Sequence, residues 1–181
     1  MQKQKALQEY FALRDELDKY CAELYKLHKQ HLQCQAGCDQ CCMDFSIFPV
    51  EYYAIKQEAG NGVKDGVALD LAGECPFLVN HRCVIYQSRP FICRTQGLPL
   101  LYMNEEQWEL SVCELNFTRF GFDGFTEENT FPQDKYNSRL FLLNQKFIKA
   151  LPGKPYQPVD LIPLSKLNNL SSEPDLPSQQ K

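Results

Sequence analysis

The chain has 181 residues, 44% of them hydrophobic, enough for one domain with its own core. Lysine and arginine total 19 against 23 aspartate and glutamate, a formal net charge of −4. That balance leaves no basic surplus to neutralise nucleic-acid phosphates and no basic tract for an anionic membrane.

The segment MQKQKALQEYFALRDELDKY is charged from its first residues and lacks the apolar core of a signal peptide. No run reaches the length of a transmembrane helix, so the expectation is a cytoplasmic protein. Through residues 4–31, Leu7, Tyr10, Leu13, Leu17, Tyr20, Leu24, Leu27 and His31 recur at spacings of three and four, without glycine or proline. This predicts one long amphipathic helix. Its stripe is broader than two residues per seven, which suits packing against a core; the pattern also fits heptads, so a homodimer seam is the second reading.

The stretch CQAGCDQCC, residues 34–42, reads as an irregular loop, and 45–48 as a short apolar step. Pro49 opens a helix, VEYYAIKQEA, that Gly60 ends. The glycine-rich 60–74 is expected to be a loop with one turn of helix. In CPFLVNHRCVIYQSRPFICR, residues 75–94, two short strands at 76–79 and 83–86 flank a turn at Asn80, His81 and Arg82. Pro90 then suits the first turn of a short helix carrying Phe91, Ile92 and Cys93. LPLLYM and QWELSVC form a further hairpin that turns at Asn104, Glu105 and Glu106 and ends on Cys113. A last helix covers 132–150, with Tyr136, Leu140, Leu143, Phe147 and Ile148 on its apolar face. The proline-rich 152–181 is a partly disordered tail in which 159–167 docks and SSEPDLPSQQK stays disordered. The fold class is α+β, mainly helical. Long helices at both ends surround a cysteine-rich, metal-stapled centre with short β-hairpins. Residues 1–151 form one cysteine-cluster domain with a metal-binding core at 34–113.

Nine cysteines in a reducing compartment call for metal or redox chemistry rather than disulfides. Cys21 lies inside the first helix and reads as a small core residue. Cys34, Cys38, Cys41, Cys42, Cys75, Cys83, Cys93 and Cys113 remain, enough for two sets of four ligands. Crowded thiolates repel one another and stay ionised only around a cation. Arg82, Arg89 and Arg94 flank Cys83 and Cys93 and offer positive charge beside the thiolates. Cys41 and Cys42 are adjacent, and neighbouring side chains on an extended chain point to opposite faces. They chelate one ion poorly, so the simplest use is one cysteine to each of two sites, or one ligand and one reactive or bridging thiol. Zinc knuckles bring ligands in close pairs, a spacing that only the first cluster has; iron–sulfur ligation accepts the wider separations of the second. An iron–sulfur cluster is therefore the expected cofactor and zinc the alternative.

Aromatics near the cysteines (Phe45, Phe48, Phe77, Tyr86, Phe91, Trp108, Phe117) would exclude water from a cluster, and core packing explains them equally well. Cys34, Cys38 and Cys41 share the C-x3-C-x2-C spacing of radical S-adenosylmethionine enzymes. Gln40 stands where those enzymes carry an aromatic, and the alternating strand–helix run of their barrel is missing. His28 and His31 read as helix-end residues, solvated or capping, and His81 as an exposed turn residue. Asp39 and Asp44 read as turn formers or as hydrogen-bond acceptors near the thiols. No catalytic residue stands out.

Taken together, CQAGCDQCC resembles the CxxxCxxCC signature of the YkgJ-type cysteine-cluster proteins, described as a zinc- or iron-chelating domain. CPFL followed by CVIYQSRPFICR is similar to that family's second block. The resemblance implies metal ligation by Cys34, Cys38, Cys41, Cys42, Cys75, Cys83 and Cys93, with Arg89, Pro90 and Arg94 at companion positions. Cys113 enters by ligand counting alone. The family includes flagellin lysine N-methylases that use S-adenosylmethionine; this chain shows no glycine-rich nucleotide loop, so the resemblance implies metal binding and not methyl transfer. A redox or protein partner is expected, as against a non-catalytic zinc-stapled or metal-delivery module.

Overall fold

The computed structural model describes residues 1–59 and 75–168. The loop expected at 60–74 and the expected disordered end lie outside the described residues. The first helix, α1, runs over Gln2–Leu27 and buries Ala6, Leu7, Tyr10, Leu13, Leu17, Cys21 and Leu24, the residues of one helical stripe. It stops short of the expected end at 31. The His28 amide closes the last turn on the Leu24 carbonyl, and the chain then bends so that the His31 amide reaches the His28 carbonyl.

After β1 (Ser46–Ile47), α2 spans Pro49–Ala59. Side chains meet the free amides at its amino-terminal end. Glu51 reaches back to accept the Phe48 amide at 3.1 Å, and the buried Asn144 accepts the Val50 amide at 3.1 Å. The strands β2 (Leu78–Val79) and β3 (Arg82–Cys83) pair antiparallel, with Leu78 opposite Cys83. Asn80 and His81 sit between them at φ 49° and 61°, the left-handed pair of a tight hairpin turn. Each strand is two residues long rather than four. Ile85 leaves the ladder for the core, and the Ser88 amide closes a turn on its carbonyl.

The five-residue helix α3 (Phe91–Thr95) follows Pro90. The hairpin β4 (Leu100–Asn104) and β5 (Gln107–Ser111) turns on Glu105 and Glu106 and ends before Cys113. Strand β6 (Phe131–Pro132) joins β4 in parallel. The last long helix, α4 (Gln133–Lys149), packs along α1 and α2 and buries Tyr136, Leu140, Leu143, Phe147 and Ile148.

The segment after α4 docks over 162–168. Strand β7 (Ile162–Pro163) pairs with β1, the Asp44 carboxylate accepts the Ser165 amide at 2.9 Å, and Leu164 and Leu167 are fully buried. The fold is thus α+β and mainly helical. No helix among the described residues is long and apolar enough to cross a membrane.

Candidate metal centre

Three loops carry the eight clustered cysteines to one side of the helical body. In the first, Gly37 takes φ +97°, and the Cys38 amide closes on the Gln35 carbonyl. The next turn closes from the Cys42 amide to the Asp39 carbonyl. Two successive turns therefore fold 35–42 back on itself and crowd its thiols. In the second loop, the Leu78 amide returns to the Cys75 carbonyl, β3 holds Cys83, and α3 holds Cys93. In the third, Cys113 follows β5 and the Asn116 amide closes on its carbonyl.

Asn116, which the sequence did not single out, ties the first loop to the third. Its side-chain oxygen accepts the Gln33 amide at 2.7 Å, and its amide group donates to Cys34 Sγ at 3.2 Å and to the Gly97 carbonyl at 2.7 Å. Gly97 sits at φ +87°, and a Cβ there would stand 2.6 Å from Cys34 Sγ, so only glycine fits this approach. No local pattern marks either residue; both are read only from contacts across the fold.

All nine cysteines are free thiols. Burial raises the thiols of Cys34, Cys41, Cys42, Cys75, Cys83 and Cys93 above their ordinary range, Cys42 to about 12. Sister thiols add to the effect, and these partners fall into two sets. Cys34 feels Cys38 and Cys113, and Cys41 feels these two and Cys34. Cys42 and Cys93 feel Cys75 and Cys83. Among the described residues the division runs through the Cys41–Cys42 peptide bond, across which Cys42 also feels Cys41.

Opposing the burial, the backbone amides of Phe77 and Ile85 lower the thiols of Cys75 and Cys83, each from two residues downstream. The Asn116 amide acts likewise on Cys34. Each favours the thiolate, the form that ligates a metal. As placed, no three His, Cys, Asp or Glu side chains among the described residues close on a common point. The two sets are neighbourhoods of thiols, with the donor type and number that a tetrahedral ion or a four-cysteine cluster takes.

The two candidate arginines have different surroundings. Arg94 is 4% exposed, and its guanidinium is committed: Nη1 to both Asp18 oxygens at 2.7 and 2.6 Å, Nη2 to the Gln87 carbonyl, Nε to the Arg89 carbonyl. Arg89 lies over the Tyr86 ring at 3.7 Å, and its charge lowers the Cys83 thiol.

His28 takes the capping role of its two expected ones and not the solvated one. It caps α1 but is 2% exposed, with Nε2 2.6 Å from the Asn129 carbonyl oxygen and the rings of Phe117, Phe120 and Phe125 around it. The 113–131 connection wraps over the helix end and covers it. His81 is exposed as expected, its Nδ1 2.6 Å from Asp39 Oδ2. Of the aromatics, Phe77, Phe91 and Phe117 are buried, whereas Tyr86 and Trp108 are more than half exposed.

Residues 33–114 match the CxxCxxCC family, described as "Putative zinc- or iron-chelating domain". The match takes in all eight clustered cysteines, Cys113 included. No curated protein and no solved structure matches the chain.

Proposed function

We propose, from the match of residues 33–114 to a zinc- or iron-chelating cysteine-cluster domain, that the chain is a metal protein with two centres. Cys34, Cys38, Cys41 and Cys113 would hold one; Cys42, Cys75, Cys83 and Cys93 would hold the other. The single observation that carries this reading is the division of eight thiols into two fours on either side of the Cys41–Cys42 peptide bond. A cation in each set removes the repulsion that otherwise keeps these thiols protonated and apart.

Iron–sulfur clusters are the better fit. The second set is drawn from ligands far apart in sequence, and Cys42, Cys75 and Cys83 pack against the hydrophobic core, a dry setting that iron–sulfur ligation favours. Such a group, when bound, supplies electron transfer. The chain supplies amide donors to sulfur at Cys34, Cys75 and Cys83 and the Arg89 charge near Cys83, which together offset the negative charge of four thiolates. The function is then a redox one, carried out in a reducing compartment with a protein or substrate partner. The second reading is a zinc-stapled module without catalysis, favoured by the paired spacing of the first cluster.

Anaerobic purification followed by metal and acid-labile sulfide analysis and an absorption spectrum separates them. Iron with sulfide and visible absorption is expected. Zinc without colour would replace the redox reading with the stapled module, and absence of any metal would overturn both.

A further inference from the structure

We propose that the pocket between α1 and residues 86–94 binds a small carboxylate, held by the Arg89 guanidinium. The pocket lies outside the clustered cysteines, with Cys21 the one thiol of its lining, and stands whichever metal they hold, although the Arg89 charge also acts on Cys83. The pocket has a volume of about 270 Å³, small for a ligand site and sized for a compact metabolite. Asp18 and Ala22 of α1 line one wall; Tyr86, Gln87, Arg89 and Arg94 line the other.

The charges in it do not cancel. Asp18 and Arg94 neutralise each other in a two-oxygen contact, and the rest of the Arg94 fork is taken by the Gln87 and Arg89 carbonyls. Arg89 has no such partner. Among the described residues its side chain makes no ion pair or hydrogen bond, and its Nε is buried without an acceptor. A buried donor left unmet costs free energy that an incoming acceptor recovers. The Tyr86 ring, 3.7 Å away, holds the guanidinium plane from one face and leaves its edge for a planar, two-oxygen acceptor. Among the residues that line the pocket the charge left over is a single positive one, which matches a monoanion. A phosphate dianion would exceed it and would meet Asp18.

The test uses the full chain purified with its metal. Phenylglyoxal labels arginines, and peptide mass reads each one, with acetate, inorganic phosphate or chloride present at equal ionic strength. Acetate should slow labelling of Arg89 saturably, by about tenfold, and leave the exposed Arg82 and Arg119 unchanged. Ala22→Glu, at an exposed helix position, sets a carboxylate in the pocket wall without touching the core. Arg89 should then label slowly without acetate, and acetate should add nothing. Labelling of Arg89 indifferent to acetate, equal protection by chloride, tighter protection by phosphate, or an Ala22→Glu protein that behaves as wild type would each overturn the proposal.

Discussion

The helical body and the cysteine-rich centre are held together by different means. In the body, α1, α2 and α4 present long apolar stripes to one another, with Tyr10, Leu17, Tyr52 and Phe147 almost wholly buried. Side-chain burial of this kind contributes roughly 1.5–3 kcal/mol per large residue and needs no cofactor. In the centre, the strands of the hairpin that carries Cys83 are two residues long, α3 has five residues, and 33–45 is irregular chain with two short turns. Such elements are too short to hold themselves. They rest on a few side chains set into the core of the body, Phe77, Ile85 and Phe91 among them, on hydrogen bonds of Asn116, Glu51 and Asp44, and on the metal that would join the thiols.

The largest way to break this difference is to remove the metal. Chelation under reducing conditions should abolish amide-exchange protection across 33–45 and 75–96 while the helical circular dichroism of α1 and α4 persists. Loss of both together would show that the body depends on the centre.

Next come the ligands. Cys38→Ser and Cys83→Ser should each remove about half of the bound metal, and the double variant nearly all of it. Cys21→Ser, whose residue sits in the α1 stripe, should keep the full amount. If Cys38→Ser and Cys83→Ser removed the same half, the division at Cys41–Cys42 would be wrong. Elemental analysis of purified protein decides it.

Leu17→Ala attacks the other region. It should cost about 2–5 kcal/mol in denaturant unfolding, as buried leucine truncations do, with metal content unchanged in the protein that remains folded.

The smallest effect lies at the seam. The Glu51 carboxylate joins the body to the centre by accepting the amides of Phe48 and Phe91, and burial raises its pKa from 4.5 to about 7. A carboxylate raised on folding holds its proton in the native state while the unfolded chain has released it. Stability from this group is therefore full below about pH 4.5 and is lost as pH rises through about 7. Glu51→Gln should flatten the stability–pH profile across that window, measured by denaturant unfolding at each pH.

Reading the chain as sequence located the body well, because α1 and α4 declare themselves through spacings of three and four. The β4–β5 hairpin is legible from its two apolar runs. The docked segment around Ile162 and Leu164 is legible from its apolar residues, though not its pairing with β1. The burial of the capping His28 is not legible, because a helix-end histidine carries no local sign that a connection 89 or more residues later will cover it with three phenylalanines. Asn116 and Gly97 escaped notice for the same reason: each matters through contact with Cys34, far away in sequence.

Cysteine number, their crowding and the CPFL and CVIYQSRPFICR blocks by themselves determined the likeness of residues 33–114 to a metal-chelating cysteine-cluster domain, because thiol chemistry depends on residue type and count. Only the tertiary structure decided which thiols neighbour which, which glycine must stay a glycine, and which arginine makes no ion pair or hydrogen bond among the described residues. Those properties depend on distances between segments that the chain brings together only when the helical body has folded.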